Sequence, residues 1–397
     1  MCGPDARWSA GCPQALTILI EVQAPRYNGR TMQVKAAVHY VAGQGVEIEM
    51  LELEEPKSHE VRVRYVASGV CHSDLHHIQG LVPHPSPVVY GHEGAGIVEA
   101  VGPDVTSVQV GDHVLTSYIP SCGRCYYCTV GRPNLCELRD RPRHLLLDGT
   151  SRFKKSGQDV YQYLQLGTYS EMATVPDVSV IPIRKDAPLE VVCLVSCGVM
   201  TGAGSVMNRA QVKPGSTVVV FGCGGIGLNA IQAAALVGAS KIVAVDVIDQ
   251  KLEWAKEFGA THTVNSSRFE DPLAEIKQIC GRDGADYAIE AVGIQQTMEQ
   301  AFHSIHRGGT AVMIGVPPAG MRLSIDPTML LQERILTGTS FGSTRQRVDL
   351  PMIVDMFMDG KYKLRELISR EVDLEDLNSA YERLIKGEVK RSVVRYS

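Results

Sequence analysis

The chain lacks any apolar run long enough to cross a bilayer, and only 6% of its 397 residues are aromatic. Because a span needs about 18 consecutive apolar residues, no transmembrane helix is predicted. A strong charge of either sign is also missing: the net charge of −5 gives no reason to expect nucleic acid or a membrane surface as a partner. The apolar stretch at 15–22 has neither a basic region before it nor a convincing cleavage site. A signal peptide is therefore rejected, and a cytoplasmic location is expected.

The first half of the chain has the pattern of a β-rich domain. A length of 397 residues predicts two domains. Residues 1–31 show no periodicity and are interpreted as an N-terminal extension, with the first strand opening at Met32. From 34 to 117, short apolar or alternating runs are separated by glycine and proline, which is typical of antiparallel strands.

A different pattern begins near residue 216, where continuous apolar strands alternate with helices. This alternation predicts an α/β domain with a doubly wound parallel sheet covered on both faces. The predicted strands are 217–221, 241–245, 261–264, 286–290 and 310–314, and the predicted helices are 229–237, 250–258, 272–280 and 296–306. A helix near 351–358 and a final strand at 391–396 are expected to return to the first domain. The predicted units are 1–31, 32–200, 201–341 and 342–397.

A glycine-rich turn follows the first strand of this second pattern. Gly222, Gly224 and Gly227 form a GxGxxG motif that opens a helix, and Asp246 ends the next strand nineteen residues after Gly227. Together these features predict a dinucleotide site, with the pyrophosphate at the helix N-terminus. Asp246 is expected to accept hydrogen bonds from the adenosine ribose and to repel the extra phosphate of NADP, so NAD is expected. Lys251, one helical turn further on, is either a ribose contact or a solvated helix-face lysine.

Four cysteines lie within fifteen residues, at Cys122, Cys125, Cys128 and Cys136. In a chain expected to keep its thiols reduced, this spacing predicts a zinc site, the alternative being cysteines that are close by chance. A shell of four thiolates leaves no open coordination position. This site is therefore interpreted as structural, and the chemistry is sought elsewhere.

A second metal site is predicted from three residues that are far apart in the sequence, Cys71, His92 and Cys197. Taken singly, a cysteine or histidine is more often an ordinary core or surface residue. Together they supply two thiolates and one imidazole, a ligand set that leaves a fourth position open for water or substrate.

These motifs, in this order, resemble those of the two-zinc alcohol dehydrogenases of the medium-chain dehydrogenase/reductase superfamily. The resemblance runs from about Met32 to the C-terminus and includes the segments 69–74 and 91–93, the four cysteines, the glycine fingerprint and Arg391. It implies a GroES-like β-rich catalytic domain, a Rossmann coenzyme domain, one catalytic and one structural zinc, and NAD. It also implies an alcohol or aldehyde substrate and a homodimer or homotetramer.

The resemblance further implies roles for individual residues. Ser73 takes the alcohol proton and passes it through the ribose hydroxyls to His76. Asp74 orients the ligand His92, and Glu93 approaches the metal from behind. The residues expected at the cofactor are the turn glycines Gly222, Gly224, Gly225 and Gly227, then Asp246 and Lys251 at the ribose, His72 and Arg391 at the pyrophosphate, and Thr201, Ile226, Ile314, Thr339 and Phe341 at the nicotinamide.

The expected activity is reversible hydride transfer from a primary or secondary alcohol to NAD. A close alternative is oxidation of an S-hydroxymethyl thiol, the adduct of formaldehyde, since segment 148–153 also resembles that branch of the superfamily. Members of that branch hold a carboxylate with an arginine shortly after the last structural cysteine, where this chain has Arg139 and Asp140. A third possibility is a metal-binding or regulatory protein that keeps the dehydrogenase fold without the activity. The intact ligand set and fingerprint argue against it.

Overall fold

The structure is a computed structural model that describes residues 31–396. This part of the chain forms eighteen strands and ten α-helices. The strands are β1 Thr31–His39, β2 Glu47–Glu54, β3 Glu60–Gly69, β4 Val88–Val89, β5 Gly94–Val101, β6 His113–Thr116, β7 Phe153–Lys155, β8 Gln158–Gln162, β9 Met172–Pro176, β10 Val180–Pro182, β11 Thr217–Phe221, β12 Lys241–Asp246, β13 His262–Asn265, β14 Ala285–Glu290, β15 Ile305–Met313, β16 Ile335–Gly338, β17 Ile368–Val372 and β18 Arg391–Arg395. The helices are α1 His72–Ile78, α2 Tyr126–Thr129, α3 Leu189–Val192, α4 Gly198–Gly204, α5 Gly225–Leu236, α6 Asp249–Glu257, α7 Pro272–Cys280, α8 Gln295–Ser304, α9 Gln346–Met358 and α10 Leu377–Ile385.

The β-rich unit consists of a small closed barrel and a larger sheet. The barrel contains β1, β2, β7, β8 and β4, and the sheet has the order β10-β6-β5-β3-β18-β17, with β9 also paired to β3. Strand β3 shows the alternating pattern expected of such a sheet, because every second residue from 61 to 67 is buried: Val61, Val63, Tyr65 and Ala67. Such alternation places one face of the strand in the core. The antiparallel pattern predicted for this region is confirmed.

The coenzyme unit contains a six-stranded parallel sheet in the order β13-β12-β11-β14-β15-β16. Its central strand β11 is buried along four of its five residues, as expected for a strand covered by helices on both sides. The predicted doubly wound sheet is confirmed, and the predicted helix at 272–280 has the observed bounds of α7.

Several predicted boundaries in this half of the chain were wrong. Helix α5 begins at Gly225 and not at 229, and strand β15 begins at Ile305 and not at 310. The helix predicted to run to residue 306 ends at Ser304, because Ile305 already pairs with Ala285 in the sheet. Helix α9 begins at Gln346, so Pro351 lies inside the helix and does not start it. The predicted breaks at 200/201 and 341/342 fall inside α4 and inside the 3-10 turn Phe341–Ser343, and the division into units stays a prediction.

The last strand returns to the first domain, as predicted. Strand β18 pairs antiparallel with β3, and Val393 lies opposite Gly69. One buried cluster contains Met200 of α4, Val218 of β11 and Val393 of β18, so the core is continuous from the catalytic sheet into the coenzyme sheet. The predicted extension at 1–31 lies outside the described residues except for Thr31, which opens β1.

No single helix between residues 31 and 396 meets the length and hydropathy requirements of a bilayer span. The bent pair Leu189–Ser196 and Gly198–Ala210 satisfies them by length and composition only.

Candidate active site

Three loops bring the predicted catalytic ligands together. Cys71 follows the end of β3, His92 lies between β4 and β5, and Cys197 precedes α4. One ligand atom of each of these residues, together with a carboxylate oxygen of Glu93, lies within 4.8 Å of the others. Of the two carboxylate oxygens of Glu93, Oε1 is buried and has no hydrogen-bond partner among the described residues. Two thiols, an imidazole and an unpartnered carboxylate oxygen fit a cation such as zinc.

Asp74 holds the histidine of this cluster. Its Oδ1 accepts hydrogen bonds from His92 Nδ1 and from the backbone N–H of Gly91, each at 3.0 Å, and its Oδ2 accepts from the Tyr169 hydroxyl at 3.2 Å. Because Nδ1 is used in this way, Nε2 of His92 remains free to bind a metal. The carboxylate–histidine pair has the geometry that the sequence analysis predicted.

The charges around the cluster are set by burial and by one ion pair. The Cys197 thiol and then the imidazole of His92 lower the pKa of Cys71, which favours the thiolate that a metal requires. Burial raises the pKa of Glu93 to about 7, although the Arg391 guanidinium opposes this shift. Arg391 also donates a hydrogen bond to the Val70 carbonyl at 3.1 Å, so the arginine bridges two loops of the site.

The other four cysteines form a separate cluster, the cysteine lobe of residues 122–140. The Sγ atoms of Cys122 and Cys128 are 3.9 Å apart, and those of Cys125 and Cys136 are also 3.9 Å apart. A tetrahedral site with Zn–S bonds of about 2.3 Å places its sulfurs about 3.8 Å apart, which fits the observed spacing. All cysteines of the described part are free thiols, as predicted for residues that hold metal or remain reduced.

The glycine fingerprint forms the turn between β11 and α5. Gly222 has a φ of +89°, and a Cβ on Gly227 would lie 1.7 Å from the Gly222 carbonyl oxygen, so neither position admits a side chain without rearrangement. The Cβ position of Gly224 is open, with no atom within 4 Å among the described residues. This free backbone surface at the start of α5 fits a pyrophosphate. Asp246 ends β12, and its carboxylate accepts from the backbone N–H of Cys223 at 2.8 Å, which ties it to the turn.

The remaining predicted residues lie around these two features. Ser73 Oγ is 3.7 Å from Cys71 Sγ, and the His76 ring is 6.3 Å from the His72 ring at the start of α1. The Lys251 side chain makes no hydrogen bond within residues 31–396, and its contact with the ribose stays a prediction. Other predicted residues lie on neighbouring elements: Thr201 on α4, Ile226 in the first turn of α5, Ile314 directly after β15, Thr339 directly after β16, and Phe341 three residues after β16.

Arg391 has a partner that the sequence did not predict. Its guanidinium forms a buried ion pair with Glu93, and its Cδ lies 2.6 Å from the Cβ position of Gly225 in the glycine turn. The arginine thus connects the metal cluster to the nucleotide turn. Its predicted contact with a pyrophosphate stays a prediction.

Sequence reasoning missed the aromatic residues beside the metal cluster. The rings of Tyr118 and Tyr163 lie 5.5 and 5.8 Å from the ring of His92, and Phe341 lies 4.6 Å from Tyr118. Arg143 holds the backbone beside these rings, since it donates to the backbone carbonyls of Tyr118 at 2.5 Å and Leu164 at 3.0 Å. Tyr163 directly follows β8, and Tyr118 lies two residues after β6. Their positions at the ends of short strands were the available signal for them.

Comparisons with known proteins agree with this site. The family model "Alcohol dehydrogenase GroES-like domain" matches residues 57–185, and "Zinc-binding dehydrogenase" matches residues 225–357. An S-(hydroxymethyl)glutathione dehydrogenase of Paracoccus denitrificans is 40% identical over 375 residues, which are 92% of this chain and 100% of that protein. A class-3 alcohol dehydrogenase of Cereibacter sphaeroides is 41% identical over 374 residues, 91% of this chain and 100% of that protein.

A solved structure supports the same conclusion. Benzyl alcohol dehydrogenase from Acinetobacter calcoaceticus superposes with a TM-score of 0.87 at 33% identity, covering 92% of this chain and 100% of that chain. The likeness therefore extends over both units and includes the predicted fold class. With two metal clusters and a nucleotide turn, the enzyme takes zinc and NAD as cofactors. The chain belongs to the zinc-dependent alcohol dehydrogenases of the medium-chain dehydrogenase/reductase superfamily.

Proposed function

We propose that this enzyme oxidises a primary or secondary alcohol with NAD and reduces the corresponding aldehyde or ketone in reverse. The observation that carries the proposal is the contact between helix α4 and the glycine turn. Cys197 of the metal cluster precedes α4, and a Cβ on Gly202 of this helix would lie 2.3 Å from the Ile226 carbonyl oxygen. Helix α4 therefore connects the metal cluster to the nucleotide turn, and such proximity is what hydride transfer between neighbouring groups requires.

Each predicted residue has a place in this reaction. When bound, zinc supplies Lewis acidity at the substrate oxygen and NAD accepts the hydride. Ser73, beside Cys71, takes the proton of the alcohol hydroxyl, and His76 on the same helix releases it to solvent. Asp74 keeps His92 oriented, and the buried Glu93 lies next to the ligands with no hydrogen-bond partner at Oε1 within residues 31–396.

The surroundings of the cofactor follow the same logic. Asp246 and Lys251 are assigned to the adenosine ribose, and the turn at 222–227 to the pyrophosphate, with His72 and Arg391 as further contacts. Thr201, Ile226 and the backbone after β15 and β16 are assigned to the nicotinamide. The rings of Tyr118, Tyr163 and Phe341 favour an alcohol with an apolar or aromatic substituent.

A second candidate is oxidation of an S-hydroxymethyl thiol. It is favoured by the relative of that name at 40% identity and by Arg139, whose guanidinium donates to Ser340 Oγ at 3.1 Å, next to Phe341. One experiment separates the two functions: rates on a panel of primary, secondary and aromatic alcohols are compared with rates on formaldehyde plus a cellular thiol. Zinc and bound cofactor are quantified in the same preparation. Faster turnover of the thiol adduct would replace the alcohol by the adduct as substrate.

The proton relay gives a prediction of its own. We expect His76→Ala to slow turnover more at low pH than at high pH, because hydroxide can take the proton directly only when it is abundant. The measurement is kcat across the pH range, and added imidazole buffer should restore part of the loss at low pH. A pH–rate profile identical to that of the unaltered enzyme would remove His76 from the relay.

We further propose that the enzyme is a cytoplasmic homodimer or homotetramer. Exposed apolar residues of the coenzyme unit support self-association, namely Leu330, Leu331 and Ile335, which lie at and before the edge strand β16.

A further inference from the structure

The loop after β16 has an unusual backbone. Phe341, Gly342 and Ser343 have consecutive positive φ values of 54°, 62° and 52°. Left-handed backbone at a phenylalanine and a serine costs roughly 1–2 kcal/mol per residue and persists only where the surroundings fix it. Because the loop follows the carboxyl end of a parallel strand, it lies at the edge of the sheet where ligands bind.

On one side, the loop 341–343 contacts α4 and an aromatic residue beside the metal cluster. A Cβ on Gly342 would lie 2.5 Å from the Met200 carbonyl oxygen of α4, so the two backbones are in close contact. The ring of Phe341 packs against Tyr118, which in turn lies beside the metal ligand His92. The loop therefore connects the residues predicted at the nicotinamide, Thr339 and Phe341, to the surroundings of the metal cluster.

On its outer side the loop is held by the cysteine lobe. Asn134, which is 3% exposed and lies between Cys128 and Cys136, donates from Nδ2 to the Ser340 carbonyl at 3.2 Å. Nη1 of Arg139 donates to Ser340 Oγ at 3.1 Å and to the Asn134 carbonyl at 3.1 Å. These hydrogen bonds join residues about 200 positions apart in the sequence, and they reach the residue that immediately precedes the strained segment.

We propose that the cysteine lobe is a positioning element for the nicotinamide half of NAD, acting through Asn134 and Arg139 on Ser340. Zinc in the lobe fixes the two short turns that carry these residues, Pro133–Leu135 and Glu137–Asp140. Ser340 then holds the left-handed loop against α4. When the hydrogen bonds from Asn134 and Arg139 to Ser340 are lost, the loop relaxes toward ordinary backbone angles. The nicotinamide then loses its contacts, whereas the adenosine half of NAD keeps its own.

The first test compares two ligands that differ only at the nicotinamide end. NADH and ADP-ribose affinities are measured by fluorescence titration and calorimetry for Arg139→Met, Ser340→Ala and the double variant. We expect NADH to bind about three- to tenfold more weakly to each single variant, the range for one hydrogen bond, with ADP-ribose unchanged. The double variant should bind NADH no more weakly than the weaker single variant, because both substitutions remove the same hydrogen bond between Arg139 and Ser340.

Arg132→Met is the matched control, since this exposed arginine belongs to the same lobe and its side chain makes no hydrogen bond within the described residues. It should bind NADH like the unaltered enzyme. Ser340→Ala keeps the test valid if Arg139→Met loses zinc, because Ser340 lies far from the cysteines in the sequence. Equal weakening of NADH and ADP-ribose, or no weakening of either, would overturn the proposal.

The second test uses the reciprocity of coupled sites. Saturating NADH should strengthen zinc binding in the lobe, and so reduce the transfer of lobe zinc to a chromogenic chelator at equilibrium, by the same factor by which lobe zinc strengthens NADH binding. ADP-ribose should have no such effect. Arg139→Met should abolish this protection. Equal transfer of zinc to the chelator with and without NADH would refute the coupling. The inference rests on NAD binding and involves no turnover, so an enzyme that binds NADH but oxidises no alcohol would contradict the proposed function alone.

Discussion

At the scale of single residues, Asp74 supports the metal centre from behind its histidine. The carboxylate is fully buried and accepts hydrogen bonds from His92, Gly91 and Tyr169. We expect Asp74→Asn to weaken zinc binding by about 10- to 100-fold, because a neutral amide makes His92 a less basic and less well oriented ligand. Competition with a chelator measures this affinity.

Tyr169→Phe is the control for that experiment. It removes the hydroxyl that donates to Asp74 Oδ2 but leaves the carboxylate and its bond to His92 in place. Its zinc affinity should stay close to that of the unaltered enzyme. Zinc affinity of Asp74→Asn equal to that of Tyr169→Phe would mean that the negative charge of Asp74 is unimportant.

The sequence was sufficient to predict the residues of this centre but not all of their partners. Cys71, His92 and Cys197 were identifiable because metal ligands are restricted to a few residue types. The pairing of Arg391 with Glu93 joins residues 298 positions apart, and nothing in either local segment indicates it. Long-range ion pairs depend on how two domains pack, which local patterns do not encode.

At the scale of elements, the contact between the loop 340–343 and α4 depends on a glycine. Gly342→Ala adds a Cβ 2.5 Å from the Met200 carbonyl oxygen, at a φ of +62°. Gly360→Ala is the matched control, since Gly360 has a φ of +72° and its Cβ position has no atom within 4 Å among the described residues. Gly360→Ala should cost about 1–2 kcal/mol for the left-handed backbone alone.

Gly342→Ala should cost a further 1–3 kcal/mol, roughly, because the added methyl group overpacks the contact with α4. Denaturant unfolding measures both free energies. The same loss of stability in the two variants would show that the loop is free to move away from the helix.

The cysteine lobe provides a second prediction at this scale. We expect Cys125→Ser to lower the zinc content from two ions per chain to one and to lower the thermal unfolding midpoint, since binding of structural zinc is coupled to folding. Cys280→Ser is the control, because Cys280 is buried outside both metal clusters and should keep two zinc ions. A Cys125→Ser enzyme that folds and assembles normally yet is inactive would contradict a stabilising role for the lobe.

Regular elements were more predictable from the sequence than the loops between them. Strand β11, helix α7 and the parallel order follow from continuous apolar strands alternating with helices. The hydrogen bond from Asn134 to the Ser340 carbonyl was not predictable, because the left-handed angles that follow it, at Phe341 and Ser343, are rare for these residue types. Such angles arise from tertiary contacts that override local preference.

At the scale of the whole molecule, the return of the chain to its first domain connects the two units. Strand β18 completes the catalytic sheet beside β3 and begins with Arg391, which reaches both Glu93 and the glycine turn. One continuous buried cluster also spans both units. The metal cluster and the nucleotide turn are thereby held in one body, so their relative position depends on packing across the junction rather than on either unit alone.

Self-association is the property of the whole molecule that the surface of the coenzyme unit predicts. Within the described chain β16 pairs only with β15, which leaves a free edge beside Leu331 and Ile335, 85% and 51% exposed. Exposed edges and apolar residues of this kind favour pairing with a second copy.

We expect Ile335→Lys to lower the mass measured by light scattering toward that of one chain. Val348→Lys, at a residue 55% exposed on α9, should leave the mass unchanged. If both variants keep the mass of the unaltered enzyme, the copies associate through another surface.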